Sequence, residues 1–222
     1  MSDARPFALV TGASRGIGAA IARALAARGC RVAVHCNNRR DLAEGVRKGL
    51  PGDGHQVIAA NLSTEDGVDR AWGEALSSFG RIDILVNNAG IFTEHPPLTT
   101  STDSWRETWR TTLAANLLGP AHLSHLAARS MAAAGGGRMV NISSRGAFRG
   151  EPDAPAYGAS KAGLNALSQS LAKALAPHKV IVLCIAPGWV ETEMAAQHLH
   201  GEKGQELLAQ HPLGRVATTE EV

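Results

Sequence analysis

Phe7-Ala8-Leu9-Val10 runs directly into Thr11-Gly12-Ala13-Ser14-Arg15-Gly16-Ile17-Gly18, and an Ala-rich stretch continues to Arg28. The apolar run predicts a buried strand and the Ala-rich stretch a helix, so three glycines fall at a strand-to-helix turn. At such a turn one glycine permits the tight bend, another lets a ligand approach the backbone, and the last lets helix and strand pack closely. The N–H groups opening the helix then face an anion, as they do toward a dinucleotide pyrophosphate. The spacing here is G-x-x-x-G-x-G rather than G-x-G-x-x-G. Taken alone, an ordinary glycine-rich turn would read the same way.

The alternation continues along the chain. Strands are predicted at Phe7–Val10, Arg31–His35, Gln56–Ala60, Ile82–Asn87, Arg138–Ile142 and Val180–Ile185. Helices are predicted at Gly16–Arg28, Asp41–Lys48, Thr64–Phe79, Trp105–Ala132, Tyr157–Ala176 and Glu193–His200. This order predicts an α/β fold, a doubly wound parallel sheet with helices on both faces. The continuous apolar runs at Ile84–Val86 and Val180–Ala186 suit strands covered on both sides. Gly135–Gly137 reads as a turn, and the whole of 1–222 reads as a single domain.

Composition narrows the function. Of 222 residues, 44% are apolar and 19% charged, as in globular proteins. A net charge of +2 is too mild to argue for nucleic acid. No run reaches the ~18 apolar residues of a membrane span, and the first ten residues lack a signal peptide's apolar run. Cys30, Cys36 and Cys184 show no metal spacing and read as thiols in a reducing, cytoplasmic setting. His122 and His125 lie three apart with no carboxylate or thiol to complete a metal site, so none is expected.

The segment TGASRGIG resembles the cofactor loop of the short-chain dehydrogenase/reductase family, and five further matches follow in that family's order. They are Asn87-Asn88-Ala89-Gly90, Asn116 in AANLLG, Ser144 in NISS, Tyr157-Gly158-Ala159-Ser160-Lys161, and Pro187-Gly188 ahead of Thr192. The resemblance, which extends to 3-oxoacyl-carrier-protein reductases, implies a Rossmann fold and an NAD(P)-dependent oxidoreductase interconverting a carbonyl and an alcohol.

Tyr157 and Lys161 are four apart on a predicted helix and so share a face. A free phenol, with a pKa of ~10, is a poor base near neutrality. A neighbouring ammonium and an oxidised nicotinamide would lower it, making Tyr157 a general acid in reduction and a general base in oxidation. The family pattern implies that Ser144 hydrogen-bonds the substrate oxygen, with Ser143 as the adjacent alternative. It also implies that Lys161 reaches the nicotinamide ribose and that Asn116 holds a water linked to Lys161. By the same analogy the cofactor lies on Gly12, Ser14, Arg15, Gly16, Ile17 and Gly18. Asn61 and Leu62 take the adenine side, with Asn61 where relatives carry Asp. Asn87, Asn88, Ala89 and Gly90 line the cleft, Pro187 and Gly188 form a cofactor-binding turn after the sixth strand, and the Val190 backbone and Thr192 hydroxyl clasp the nicotinamide amide.

NAD readers usually end the second strand with an acidic residue. Here Cys36-Asn37-Asn38-Arg39-Arg40 holds no carboxylate, and Arg15, Arg39 and Arg40 suit a 2′-phosphate. NADP(H) is therefore the favoured cofactor, with NAD(H) still open. Asn38 is a candidate helix cap.

His198, His200, Trp189 and Met194 fall in or beside the segment that forms a substrate lid in the family. The residues after Pro212 resemble the start of a helix leading to a seventh, final strand, which this sequence lacks. That leaves Val180–Ile185 as an uncovered edge. The expected partner is a small carbonyl or alcohol, including one carried on acyl-carrier protein, and the expected assembly is a homo-oligomer. Two other readings stay open: an NAD-dependent alcohol dehydrogenase, and a non-catalytic dinucleotide-binding regulator.

Overall fold

The computed structural model describes residues 5–196 and 213–222. Six parallel strands form one sheet in the order β3-β2-β1-β4-β5-β6. They are β1 (Phe7–Val10), β2 (Arg31–Cys36), β3 (Gln56–Ala59), β4 (Ile84–Asn87), β5 (Gly137–Ile142) and β6 (Val180–Ile185). All six expected strands are present, and the order reverses direction between β1 and β4. Parallel neighbours need crossovers, supplied by α1 (Gly16–Ala27), α2 (Arg40–Lys48), α3 (Glu65–Phe79), α4 (Thr102–Leu113), α5 (Gly119–Ala133) and α7 (Pro155–Leu175). Two short helices, α6 (Gly146–Arg149) and α8 (Glu193–Ala196), lie after β5 and β6.

The pleat divides β1 between two cores. Phe7 and Leu9 join Leu85, Leu123, Met131 and Met139 on one face, while Ala8 and Val10 join Val32, Val34, Ala19 and Ala22 on the other. Each fully buried Leu or Met contributes about 1.5–3 kcal/mol, which fixes the strand register.

Three expectations change. The helix expected over Trp105–Ala132 begins at Thr102 and is interrupted by a π turn at Ala114–Leu118. Pro120 explains the turn. It has no N–H for the Asn116 carbonyl and its ring crowds that carbonyl, so the ladder widens and Gly119 N–H reaches back five residues to Ala114 O. Next, β6 is not covered on both faces: Val180 and Val182 enter the core, but Ile181 is 50% and Leu183 53% exposed. It is the sheet's edge, as the reading without a further strand expected. Finally, Asn38 caps nothing. The cap position of α2 is Arg39, and no side chain caps it.

The helix expected at Glu193–His200 is described only to Ala196; His198 and His200 lie outside the described residues. From the C-terminal segment, Ala217 bridges Val190, accepting from Glu191 N–H at 2.8 Å and donating to Trp189 O at 3.0 Å. This ties down the loop after β6.

Candidate active site

Where the strand order reverses, the ends of β1, β4, β5 and β6 surround one cleft of about 490 Å³. The phosphate-loop residues Gly12, Ser14, Arg15, Gly16, Ile17 and Gly18 form one wall. Gly12 has φ +62°, and a Cβ there would lie 2.8 Å from the Ala89 Cα. A Cβ on Gly18 would collide with the Gly12 carbonyl and the Asn88 amide. The backbone is thus bare where a pyrophosphate would approach. Arg15, in the cap position of α1, offers no side-chain cap bond, and the first turn holds no acidic residue. Its N–H groups suit an anion.

Two side chains hold this loop. Asn88 Nδ2 donates to Thr11 O at 2.8 Å and Gly12 O at 3.1 Å, while Thr11 Oγ1 accepts from the N–H groups of Asn88 and Ala89 at 2.9 and 3.0 Å. His35, buried at the end of β2, accepts the Gly12 N–H at Nδ1, 3.1 Å away, so its proton sits on Nε2 and is donated to Ala60 O at 3.0 Å. Burial holds this imidazole neutral, with a pKa lowered to about 4 against the pull of the Ala60 bond. The sequence singles out Asn88, as part of NNAG, but not His35, because the loop contact depends on the strand alignment.

Asn88, Ala89 and Gly90 line the cleft, but Asn87 does not. Asn87 is buried behind it, donating to Ser124 Oγ at 2.9 Å and Asn141 Oδ1 at 2.8 Å. Its place in the cleft wall is therefore corrected to a tie between β4, β5 and α5. Asn37, Asn61, Leu62, Pro187, Gly188, Val190 and Thr192 all face the cleft. The Asn61 Oδ1 already accepts the Ser63 N–H at 3.0 Å. Arg15 and Arg39 also line the cleft, each engaged by a carboxylate: Arg15 with Glu193 at 2.8 Å, Arg39 with Asp41 through two bonds of 3.1 and 2.9 Å. Arg40 lies outside the cleft wall, 4.0 Å from Glu44.

The opposite end gathers the reactive groups. One turn of α7 separates Tyr157 from Lys161, and both reach the cleft. Ser144, just past β5, lines the cleft beside Tyr157 and accepts the Gly146 N–H at 3.1 Å. Ser143 lines the cleft as well, but its hydroxyl is donated to Lys161 O at 3.2 Å. Burial raises the Tyr157 pKa, the Ser144 hydroxyl lowers it, and the charge of Glu151 raises it. The expected lowering is absent from the protein alone because the Lys161 ammonium is directed at Ile142 O, 2.8 Å away. Burial pulls Lys161 down to about 8.

Asn116 is buried in the π turn and does not itself line the cleft. Its Oδ1 accepts the Ile91 N–H at 2.8 Å, and its Nδ2 donates to Ile91 O at 2.9 Å and Ser160 Oγ at 3.2 Å. A Cβ on Gly90 would sit 3.3 Å from Asn116 Oδ1 and 3.5 Å from Lys161 Nζ, so the missing side chain leaves room between them.

Other cleft residues carry no motif. Phe92 stands edge-on to the Tyr157 ring at 5.0 Å between centroids. The Arg145 guanidinium lies 5.4 Å from the centre of the Trp189 ring, and burial lowers its pKa, as does nearby Arg149. His122 pairs with Asp69 at 3.2 Å across α3 and α5. Among the described residues there is no cluster of three or more potential metal ligands, and no helix long and apolar enough to cross a membrane.

A family model described as short chain dehydrogenase matches residues 6–203. The 3-oxoacyl-[acyl-carrier-protein] reductase FabG of Aquifex aeolicus is 39% identical over 217 residues, covering 96% of this chain and 85% of that protein. A cis-4-hydroxycyclohexanecarboxylate dehydrogenase of Sinomonas cyclohexanicum is 37% identical, covering 99% and 86%. The solved structure described as a short-chain alcohol dehydrogenase from Sinorhizobium meliloti 1021 superposes with a TM-score of 0.88 at 36% identity, covering 98% of this chain and 85% of the other. With that match over most of its length, on a sheet whose reversal point carries a glycine cradle beside a Tyr–Lys pair, the chain belongs to the short-chain dehydrogenase family and is an NAD(P)-dependent oxidoreductase.

Proposed function

We propose that the protein reduces a carbonyl to a secondary alcohol with NADPH, using Tyr157 as the proton donor. The observation that carries this reading is that Ser144 and Tyr157 line the same cleft, one helical turn of α7 from the buried amine of Lys161. When bound, the nicotinamide supplies the hydride. Ser144 and the phenol hydrogen-bond the substrate oxygen, orienting it and stabilising the charge that develops there. The phenol then gives its proton to that oxygen. A raised pKa in the protein alone keeps the phenol protonated, which suits an acid and so the reducing direction. Lys161 binds the nicotinamide ribose. The gap over Gly90 admits a water between Asn116 and Lys161 that carries a proton back to the phenol.

The phosphate loop and Asn88 to Gly90 hold the dinucleotide backbone. Asn61 and Leu62 take the adenine side, Pro187 and Gly188 form a cofactor-binding turn, and Val190 and Thr192 take the nicotinamide amide. The preference for NADPH rests on the end of β2, where the strand closes on Cys36 rather than an acidic residue and Asn37 and Arg39 face the cleft. The FabG relatives support a 3-oxoacyl thioester, free or carried on acyl-carrier protein, as the substrate class. The free thiols are in keeping with a reducing, cytoplasmic setting. A second reading, alcohol oxidation, is favoured by the cyclohexanecarboxylate dehydrogenase relative.

Turnover tests both. Loss of reduced-nicotinamide absorbance is followed with 3-oxoacyl thioesters and simple ketones, using NADPH and NADH in parallel. NADPH oxidation is expected, and Tyr157→Phe should lower kcat by about 10²–10⁴-fold while leaving cofactor binding intact. Full activity in Tyr157→Phe would refute the mechanism.

A further inference from the structure

His95 is buried to 1% exposure in the segment between β4 and α4, a few residues after Gly90, Ile91 and Phe92, and lies outside every family motif. Its ring has two directed bonds. Nδ1 lies 2.8 Å from Thr93 O, and Nε2 accepts the Ala156 N–H at 3.2 Å. Since Nε2 accepts, the ring is the neutral tautomer with its proton on Nδ1, donated to Thr93. The backbone N–H of His95 donates to Asp153 O at 2.7 Å, and the ring stands edge-on to Trp105 at 5.2 Å. Three contacts therefore hold the imidazole, and a fourth holds its backbone.

The group that it holds is the start of α7, the helix that carries Tyr157 and Lys161. The first turn of a helix leaves N–H groups without helical partners. In α7, Pro155 has none to offer, and the N–H groups of Tyr157 and Gly158 turn back to Ala154 O at 3.0 and 3.3 Å. Ala154, in the cap position, supplies no side-chain bond. Ala156 N–H, immediately before Tyr157, is left for His95. The same segment reaches the reactive groups twice more, through Phe92 against the Tyr157 ring and Ile91 clamped by Asn116.

We infer that His95 is a positioning residue for the proton transfer: it caps α7 from a distance of 61 residues in sequence and sets where the Tyr157 hydroxyl stands relative to Ser144. The inference rests on Tyr157 being the proton donor. An error on the order of 1 Å in the placement of a reacting group costs up to about a hundredfold in rate, so one cap bond beside the phenol has leverage on kcat. His95 lines no part of the cleft, so cofactor affinity should not depend on it.

Three variants separate capping from bulk. Gln places its amide oxygen near the Nε2 position and can accept the Ala156 N–H. Asn presents its oxygen near Nδ1 and cannot reach it. Phe keeps ring volume against Trp105 with no acceptor. With NADPH and the best ketone found, His95→Asn and His95→Phe should lower kcat about tenfold or more, while the Kd for NADPH from fluorescence titration stays within about twofold. His95→Gln should recover to within about threefold of wild type. If His95→Phe does not fold, the Gln and Asn pair decides. The inference is overturned if Asn equals Gln, if kcat is unchanged in both Asn and Phe, or if kcat and NADPH affinity fall together. An active Tyr157→Phe would sink the parent reading. A dead Tyr157→Phe beside a silent His95 series would sink this inference alone.

Discussion

The Lys161 ammonium lies 5.8 Å from the centre of the Tyr157 ring and donates instead to the Ile142 carbonyl, 2.8 Å away. The pair assembled by the helical spacing is therefore not a direct hydrogen bond. The amine is held below the phenol by the end of β5, where it can meet a ribose and a water. Placing a cation there is costly, because burial disfavours the charged form.

That cost yields the first prediction. The Lys161 pKa falls from 10.5 to about 8, a difference on the order of 3 kcal/mol against the charged form. Lys161→Met removes the penalty and loses the bond to Ile142, so a net gain of about 1–2 kcal/mol is expected, with activity abolished. For a chain of this size that raises Tm by several degrees, read by a thermal melt at neutral pH. The sign across pH follows. Between about 8 and 10.5 the unfolded chain holds a proton that the folded chain has released, so wild-type stability rises with pH in that window. Lys161→Met should lack that rise. A variant less stable than wild type would show that the ammonium stabilises the fold.

A second titration acts at the phosphate loop. His35 is neutral in the fold, with a pKa near 4 against the ordinary 6.5. As pH falls from 6.5 to 4 the unfolded chain takes up a proton that the folded chain refuses, and stability falls by about 1.4 kcal/mol per pH unit. Below about 4 both states are protonated and this contribution is gone. His35→Asn retains an acceptor for Gly12 N–H but does not titrate. Urea melts between pH 4 and 6.5 should show a shallower slope for the variant, and parallel slopes would contradict this account.

The sheet and most of the cleft were legible because their signals are local. Four apolar residues before TGASRGIG place a strand, and a glycine can be recognised by what its missing Cβ allows. The i, i+4 spacing sets Tyr157 and Lys161 on one face whatever surrounds them. What escaped depends on contacts between distant segments. The π turn is set by Pro120 acting on Asn116 within an otherwise helical pattern. Asn87 and Asn88 are adjacent in one motif, yet alternation along the strand end sends one into the sheet and the other to the phosphate loop. The hydroxyls of Ser143 and Ser144 likewise take different partners. His35 and His95 act through backbone groups that no sequence spacing links to them. The β6 face was read as covered because edge and centre strands share an apolar pattern.

Cofactor choice gives the third prediction. Asn37 faces the cleft at the end of β2, and Arg39 beside it is already shared with Asp41. Asn37→Asp adds a charge that repels a 2′-phosphate and accepts from a ribose hydroxyl. The ratio of kcat/KM for NADPH over NADH should fall about tenfold or more, mostly through KM for NADPH. Initial rates with each cofactor at a fixed ketone concentration provide the check. An unchanged ratio would mean that position 37 does not read the ribose.

The last prediction concerns the open strand. On β6, Val180 and Val182 are buried while Ile181 and Leu183 are half exposed, and no strand pairs beyond β6 among the described residues. An apolar edge with free backbone groups is a template for pairing with another chain, and a charge on it is the common remedy. Leu183 sits on the exposed face, so Leu183→Lys removes little packing and should alter stability by no more than about 0.5 kcal/mol. It should also slow light-scattering growth at high protein concentration. The buried neighbour supplies the control: Val182→Lys places an unpaired charge against Met139 and Leu85 and should unfold the protein. Equal loss of stability in the two variants would mean that the outer face of β6 is covered in solution.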